Sequence, residues 1–178
     1  MRVQNFVSLY HNSGAFGFVP DVTTHIRGWI GPDDPTLRES VRTFMKQIPE
    51  PHVTNLVSML SSIWREHLPG RAWVMPMSHW SYELDFGSRE WLGAALAQIG
   101  IDSQLLITRN NGAAIEFQRD EVVPFERFTC DLLTNLTASD FAMVFPDHPV
   151  LVTLHHHRQL WWVTGDSELS EKLDAATK

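Results

Sequence analysis

Residues 150–165, VLVTLHHHRQLWWVTG, set two β-forming runs on either side of a polar knot made of His156, His157, Arg158 and Gln159. That is the pattern of a strand, a tight connection and a returning strand. Neighbouring residues on a strand point to opposite faces. One of Trp161 and Trp162 therefore belongs to the core, and the other needs a covering helix or a ligand. Just upstream, Phe141 to Phe145 and a turn over Pro146 to Pro149 add a third strand, which makes the region a meander. A terminal helix is expected to start at Asp166.

Working back from this hairpin, Phe125, Phe128, Leu132, Leu133 and Leu136 recur at helical spacing, so a helix is expected to begin between Asp120 and Pro124. Ala113 to Phe117 reads as a strand, and Leu105 to Thr108 as its hairpin partner across the turn RNNG. Trp91, Leu92, Ala95, Leu96 and Ile99 mark a helix from Ser88 to about Ile99. From Arg71 to Phe86 the chain reads as extended. Trp80, Tyr82, Leu84 and Phe86 alternate there with His79, Ser81, Glu83 and Asp85, which predicts a strand with one apolar and one polar face.

The N-terminal third reads differently. Residues 1–19 suggest an edge strand followed by a glycine-punctuated loop, SGAFGF. Val22, Ile26, Trp29 and Ile30 predict a short helix after Asp21. Asp34 and Pro35 open a second, with Leu37, Val41, Phe44, Met45 and Ile48 as its stripe. A third spans Val53, Leu56, Val57, Leu60, Ile63 and Trp64 and ends near Pro69 and Gly70. The expected architecture is α+β. It comprises an antiparallel or mixed sheet within residues 71–164, two crossing helices and an N-terminal helical layer. A single domain, 1–178, divides into a helical segment over 20–69 and an α+β core over 70–178.

Composition narrows the function classes. The formal charge of −7, from 14 Lys and Arg against 21 Asp and Glu, opposes nucleic acid and anionic lipid, and the cations are scattered singly. No apolar run is long enough to span a membrane, and the N-terminus lacks the features of a secretory leader. With the single cysteine, Cys130, excluding an intrachain disulfide, a cytoplasmic location is expected. Cys130 itself reads as a helical core residue. No phosphate-binding glycine loop or nucleophile elbow is present. Seven tryptophans in 178 residues favour recognition, because Trp is enriched at binding hot spots.

Two functional readings follow. The first is a small binding protein that uses an aromatic and His-rich surface, Trp80, His155, His157, Arg158 and Trp161, to hold a small-molecule ligand or a protein partner, with no cofactor. The second is a metal-dependent hydrolase. Imidazole and carboxylate donors from His79, Glu83, Asp85, His155 and His157 would converge on a divalent metal such as zinc, or serve as acid and base. A connection starting at His156 would take His155 and His157 off a shared strand face, which counts against a simple HxH pair. Neither nucleic acid nor a membrane is an expected partner, and a homodimer is compatible with the composition.

Overall fold

The computed structural model describes residues 1–5, 8–10, 16–18, 44–48, 52–109, 113–145, 148, 150–164 and 167–177. The strands are β1 (Arg2–Asn5), β2 (Ser8–Tyr10), β3 (Phe16–Phe18), β4 (Phe44–Ile48), β5 (Ala72–Pro76), β6 (Ala113–Phe117), β7 (Phe141–Val144), β8 (Val150–His155) and β9 (Gln159–Thr164). The helices are α1 (Val53–His67), α2 (Trp80–Tyr82), α3 (Leu92–Gln98), α4 (Ser103–Arg109), α5 (Val122–Asn135) and α6 (Ser167–Ala176). Residues Glu83–Gly87 continue α2 as one π-helical turn.

A seven-stranded sheet in the order β1-β6-β5-β7-β8-β9-β4 organises the chain, and β2 and β3 pair separately. Every described pairing in it is antiparallel. The fold is thus α+β, as the patterning predicts, with β7, β8 and β9 in a meander. The sheet also recruits strands from outside 71–164. β1 is the edge strand expected in residues 1–19, and β4 forms the opposite edge, hydrogen-bonded to β9.

β4 corrects one expectation. Phe44, Met45 and Ile48 were expected to belong to a helical stripe, yet they lie in a strand, because β9 would otherwise present an open row of backbone donors and acceptors. Phe16–Phe18, read as loop, is also a strand. The helix expected after Asp21 and the first part of the one after Pro35 lie outside the described residues, and so do Asn110, Asn111 and Gly112 of the expected hairpin turn.

The central strands are buried on both faces, with β5, β6 and β7 inaccessible throughout and β8 inaccessible up to Leu154. Alternation fails as a signal in such strands, and continuous apolar runs replace it. α1 packs its Leu56, Leu60, Ile63 and Trp64 face against α5, with Trp64 and Phe125 ring centroids 4.4 Å apart. The helix closes at Leu68, whose N–H donates to the Ile63 carbonyl at 3.2 Å, and Trp64 Nε1 donates to the carbonyl of Gly70, which turns the chain at φ 121° after Pro69.

Two segments expected as strands are helical. From Trp80 to Phe86 the buried positions are Trp80 and Glu83, three apart, while Tyr82 and Phe86 are exposed. The seven-residue alternation misled because the large apolar residues Trp80, Tyr82, Leu84 and Phe86 fell on every second position. Hydrogen-bond partners decided the outcome. Trp80 Nε1 donates to the Ala113 carbonyl at 2.9 Å, Ser88 Oγ donates to Glu83 Oε2 at 2.8 Å, and Ser78 Oγ donates to Glu83 Oε1. Ser88 N–H reaches the Glu83 carbonyl at 2.7 Å, five residues back, which makes the π turn. Gly87 is required there, since a Cβ would lie 2.7 Å from Glu83 Oε2 and 2.9 Å from Tyr82 Cε1. Ser88 is therefore engaged with Glu83, and the regular helix starts only at Leu92.

Leu105 to Thr108 lies within α4. Asp102 opens that helix, its Oδ1 accepting the Gln104 N–H at 2.9 Å, so residues 105–108 cannot be the hairpin partner of β6. β6 pairs with β1 and β5. Cys130 sits on α5 half-buried, its Sγ 4.0 Å from Thr134 Oγ1.

Candidate functional site

Antiparallel pairing gathers one end of each of four neighbouring strands: the start of β7, the end of β8, the start of β9 and the end of β5. Pro76 pairs with Phe141, Phe141 with Leu154, and His155 with Gln159. The turn between β8 and β9 closes with the Arg158 N–H donating to the His155 carbonyl at 2.9 Å, and Arg158 takes φ 58°. A three-residue loop ending in a left-handed residue is a standard way to match the twist of two strands. Its tightness folds three successive histidines back on one another.

His155 and His156 stack with ring centroids 4.2 Å apart and planes at 26°. His157 lies 4.8 Å from His155 and 4.2 Å from His156, and Trp161 lies 5.5 Å from His155. One ligating nitrogen from each of the three rings falls within 4.8 Å of the others. Beneath them is Asp140, whose Oδ1 accepts the His156 backbone N–H and approaches His156 Nδ1, both at 2.9 Å, and whose Oδ2 is 3.9 Å from His155 Nε2. The Asp140 carbonyl accepts the Met77 N–H at 2.9 Å, which fixes it to the end of β5.

Burial holds the His155 imidazole below its ordinary value; Asp140 pulls the other way, and His156 and His157 push it further down. A base whose pKa is depressed by folding binds fewer protons in the folded state. The stability it contributes is present above the unfolded value, about 6.5, and is lost as pH falls through the lower folded value. The thermal midpoint is therefore expected to decline between pH 7 and pH 5, and to decline less in His155→Gln. Equal slopes in the two proteins would remove His155 as a cause.

Of the residues expected to bind a ligand or partner, His155, His157, Arg158 and Trp161 share this turn. Trp80 does not belong with them: it is fully buried, its N–H is used by Ala113, and its ring meets Phe141 edge-on at 5.8 Å. Of the expected metal donors, His79, Glu83 and Asp85 are absent from the imidazole group. Glu83 is inaccessible, with both oxygens accepting serine hydroxyls, and Asp85 faces solvent. The correction follows from the helix over 80–87, which separates residues that a strand would have aligned. His156 and Asp140 went unrecognised in the sequence. The run of three histidines was the available signal for the first, whereas Asp140 becomes a partner only through the pairing of β7 with β8.

As expected of adjacent strand residues, Trp162 is buried and Trp161 half-exposed. Among the described residues no helix is long and apolar enough to cross a membrane. No known protein family, curated protein or solved structure matches the chain. Fold and site together define an α+β protein with an imidazole cluster at the tip of a central hairpin.

Proposed function

We propose that this is a small cytosolic binding protein whose ligand site is the β8–β9 tip, with His155, His157, Arg158 and Trp161 contacting the ligand and His156 and Asp140 supporting them. One observation carries the reading: three imidazoles and an indole meet at one turn beside Asp140. So many nitrogen donors and acceptors gathered with an aromatic face at one surface turn suit a ligand. The single cysteine and acidic balance accord with a cytosolic, nucleic-acid-free setting. In the hydrolase reading Glu83 could no longer serve as ligand or base, because both its oxygens accept serine hydroxyls.

The test is a ring-resolved NMR titration of the intact chain with zinc chloride, inorganic phosphate and a hexaglutamate peptide. At least one probe is expected to move the signals of His155, His156, His157 and Trp161 while leaving His52, His67 and His148 in place. Trp161→Ala and His157→Ala should each weaken that response about tenfold, the size of one lost contact of about 1.4 kcal/mol, without unfolding the chain. If all three probes leave the tip unmoved, the reading fails.

A further inference from the structure

Resting on the tip as the ligand site, we infer that His155, His156 and His157 form a centre for a first-row divalent cation of the zinc class, with Asp140 as the residue that positions His156. A carboxylate can only accept a hydrogen bond, so the 2.9 Å contact to Asp140 Oδ1 places the His156 proton on Nδ1 and leaves Nε2 with a free lone pair. His155 is set the opposite way. The His157 backbone N–H donates to its Nδ1 at 3.2 Å, so that nitrogen carries the lone pair and the proton resides on Nε2, facing Asp140 Oδ2 at 3.9 Å. Asp140 thus orients the His156 imidazole, the arrangement in which a ligating histidine gives its other nitrogen to a carboxylate, and the His157 backbone N–H orients that of His155.

The metrics fit an ion of this size. Ligand nitrogens about 2.0–2.1 Å from a tetrahedral metal lie roughly 3.4 Å apart. One nitrogen from each of the three rings lies within 4.8 Å of the others, a gap that side-chain rotation in a turn can close. The ion takes the His155 Nδ1 lone pair in exchange for the long backbone contact. An all-imidazole donor set selects zinc, nickel, copper or cobalt over magnesium and calcium, which require oxygen donors. His157 is exposed and all three donors come from one turn, so the solvent side of the ion is left for water or a small anion beside Arg158.

The experiment is calorimetric titration of the full chain with zinc, repeated with cobalt so that the visible ligand-field spectrum reports the coordination. One equivalent is expected to bind, with imidazole-type cobalt bands. His156→Ala and His157→Ala should each weaken zinc by about 100-fold, and Asp140→Asn by roughly 10- to 100-fold. In Asp140→Asn the long-range ¹H–¹⁵N spectrum of the apoprotein should also show a redistributed His156 tautomer, which a merely structural role for Asp140 would not produce. His67→Ala and His148→Ala serve as controls and should bind as the parent does. Zinc binding that survives the His156 and His157 substitutions overturns the inference, as does no binding at micromolar zinc. If zinc is inert while phosphate or hexaglutamate still moves the tip signals, the inference fails and the binding reading stands.

Discussion

Glu116→Ala is expected to cost about 3 kcal/mol, toward the lower end of what breaking a buried charged network removes, and to lower the thermal midpoint by roughly 6–12 °C for a chain of this size. Glu116 is inaccessible at the middle of β6, across from Trp73 of β5 and Arg2 of β1. Its carboxylate accepts from Arg2 Nε at 2.6 Å, Trp73 Nε1 at 2.9 Å and Gln118 Nε2 at 2.5 Å, and Arg71 stands 3.6 Å away over the Trp73 ring. Truncation strands the buried indole N–H and leaves a void. Arg2 and Arg71 retain partial access to water, which keeps the loss from being larger. Glu116→Gln, which retains an acceptor for Trp73, should cost clearly less. Chemical denaturation measures both. A loss under about 1 kcal/mol for the alanine variant would mean that water replaces the carboxylate without difficulty.

The second large effect concerns tryptophan. Trp80→Ala should destabilise by about 3–5 kcal/mol, as deletion of a fully buried aromatic side chain does. The loss combines the emptied volume against Phe141 with an orphaned Ala113 carbonyl at the start of β6. Trp80→Phe isolates the hydrogen bond and should cost about 1–2 kcal/mol. Trp161→Ala, by contrast, should stay within about 1 kcal/mol, since a half-exposed side chain recovers much of its hydration when the protein unfolds. Comparable losses at positions 80 and 161 would refute the assignment of one to the core and the other to the surface.

These two tryptophans show what was legible in the sequence. The β8–β9 hairpin, the opposed faces of Trp161 and Trp162, α1 and α5 could all be read from local pattern, because each has strong periodicity and its own stop signals. Trp80 was misplaced because the residues 79–86 satisfy a strand template while their polar groups find partners only in a helical turn: Ser78 and Ser88 for Glu83, and Ala113 for Trp80. β4 was misread for a different reason: Leu37, Val41, Phe44, Met45 and Ile48 follow the helical period, and the partner that holds 44–48 in a strand, β9, lies far along the chain. The Asp102 cap of α4 went unread, and the short β-rich run over 105–108 fits a strand template instead. At the candidate site the histidines were legible but their convergence was not. Arg158 at positive φ and Asp140, just ahead of β7, produce it, and neither is announced by spacing.

The order of strands in the sheet has a consequence for how the chain is made. β1 and β4, its two margins, precede all five strands that lie between them. Arg2 waits for Glu116, 114 residues later, and β4 waits for β9 near the end of the chain. Synthesis thus delivers the rims before the interior: β1 has no partner until β6 is made, and β4 none until β9 is made. Such distant pairings slow closure and leave open strand edges on the growing chain. Closure of the sheet is therefore expected to await β9, with β7, β8 and β9, the most local of its pairings, as the template on which β4 is laid.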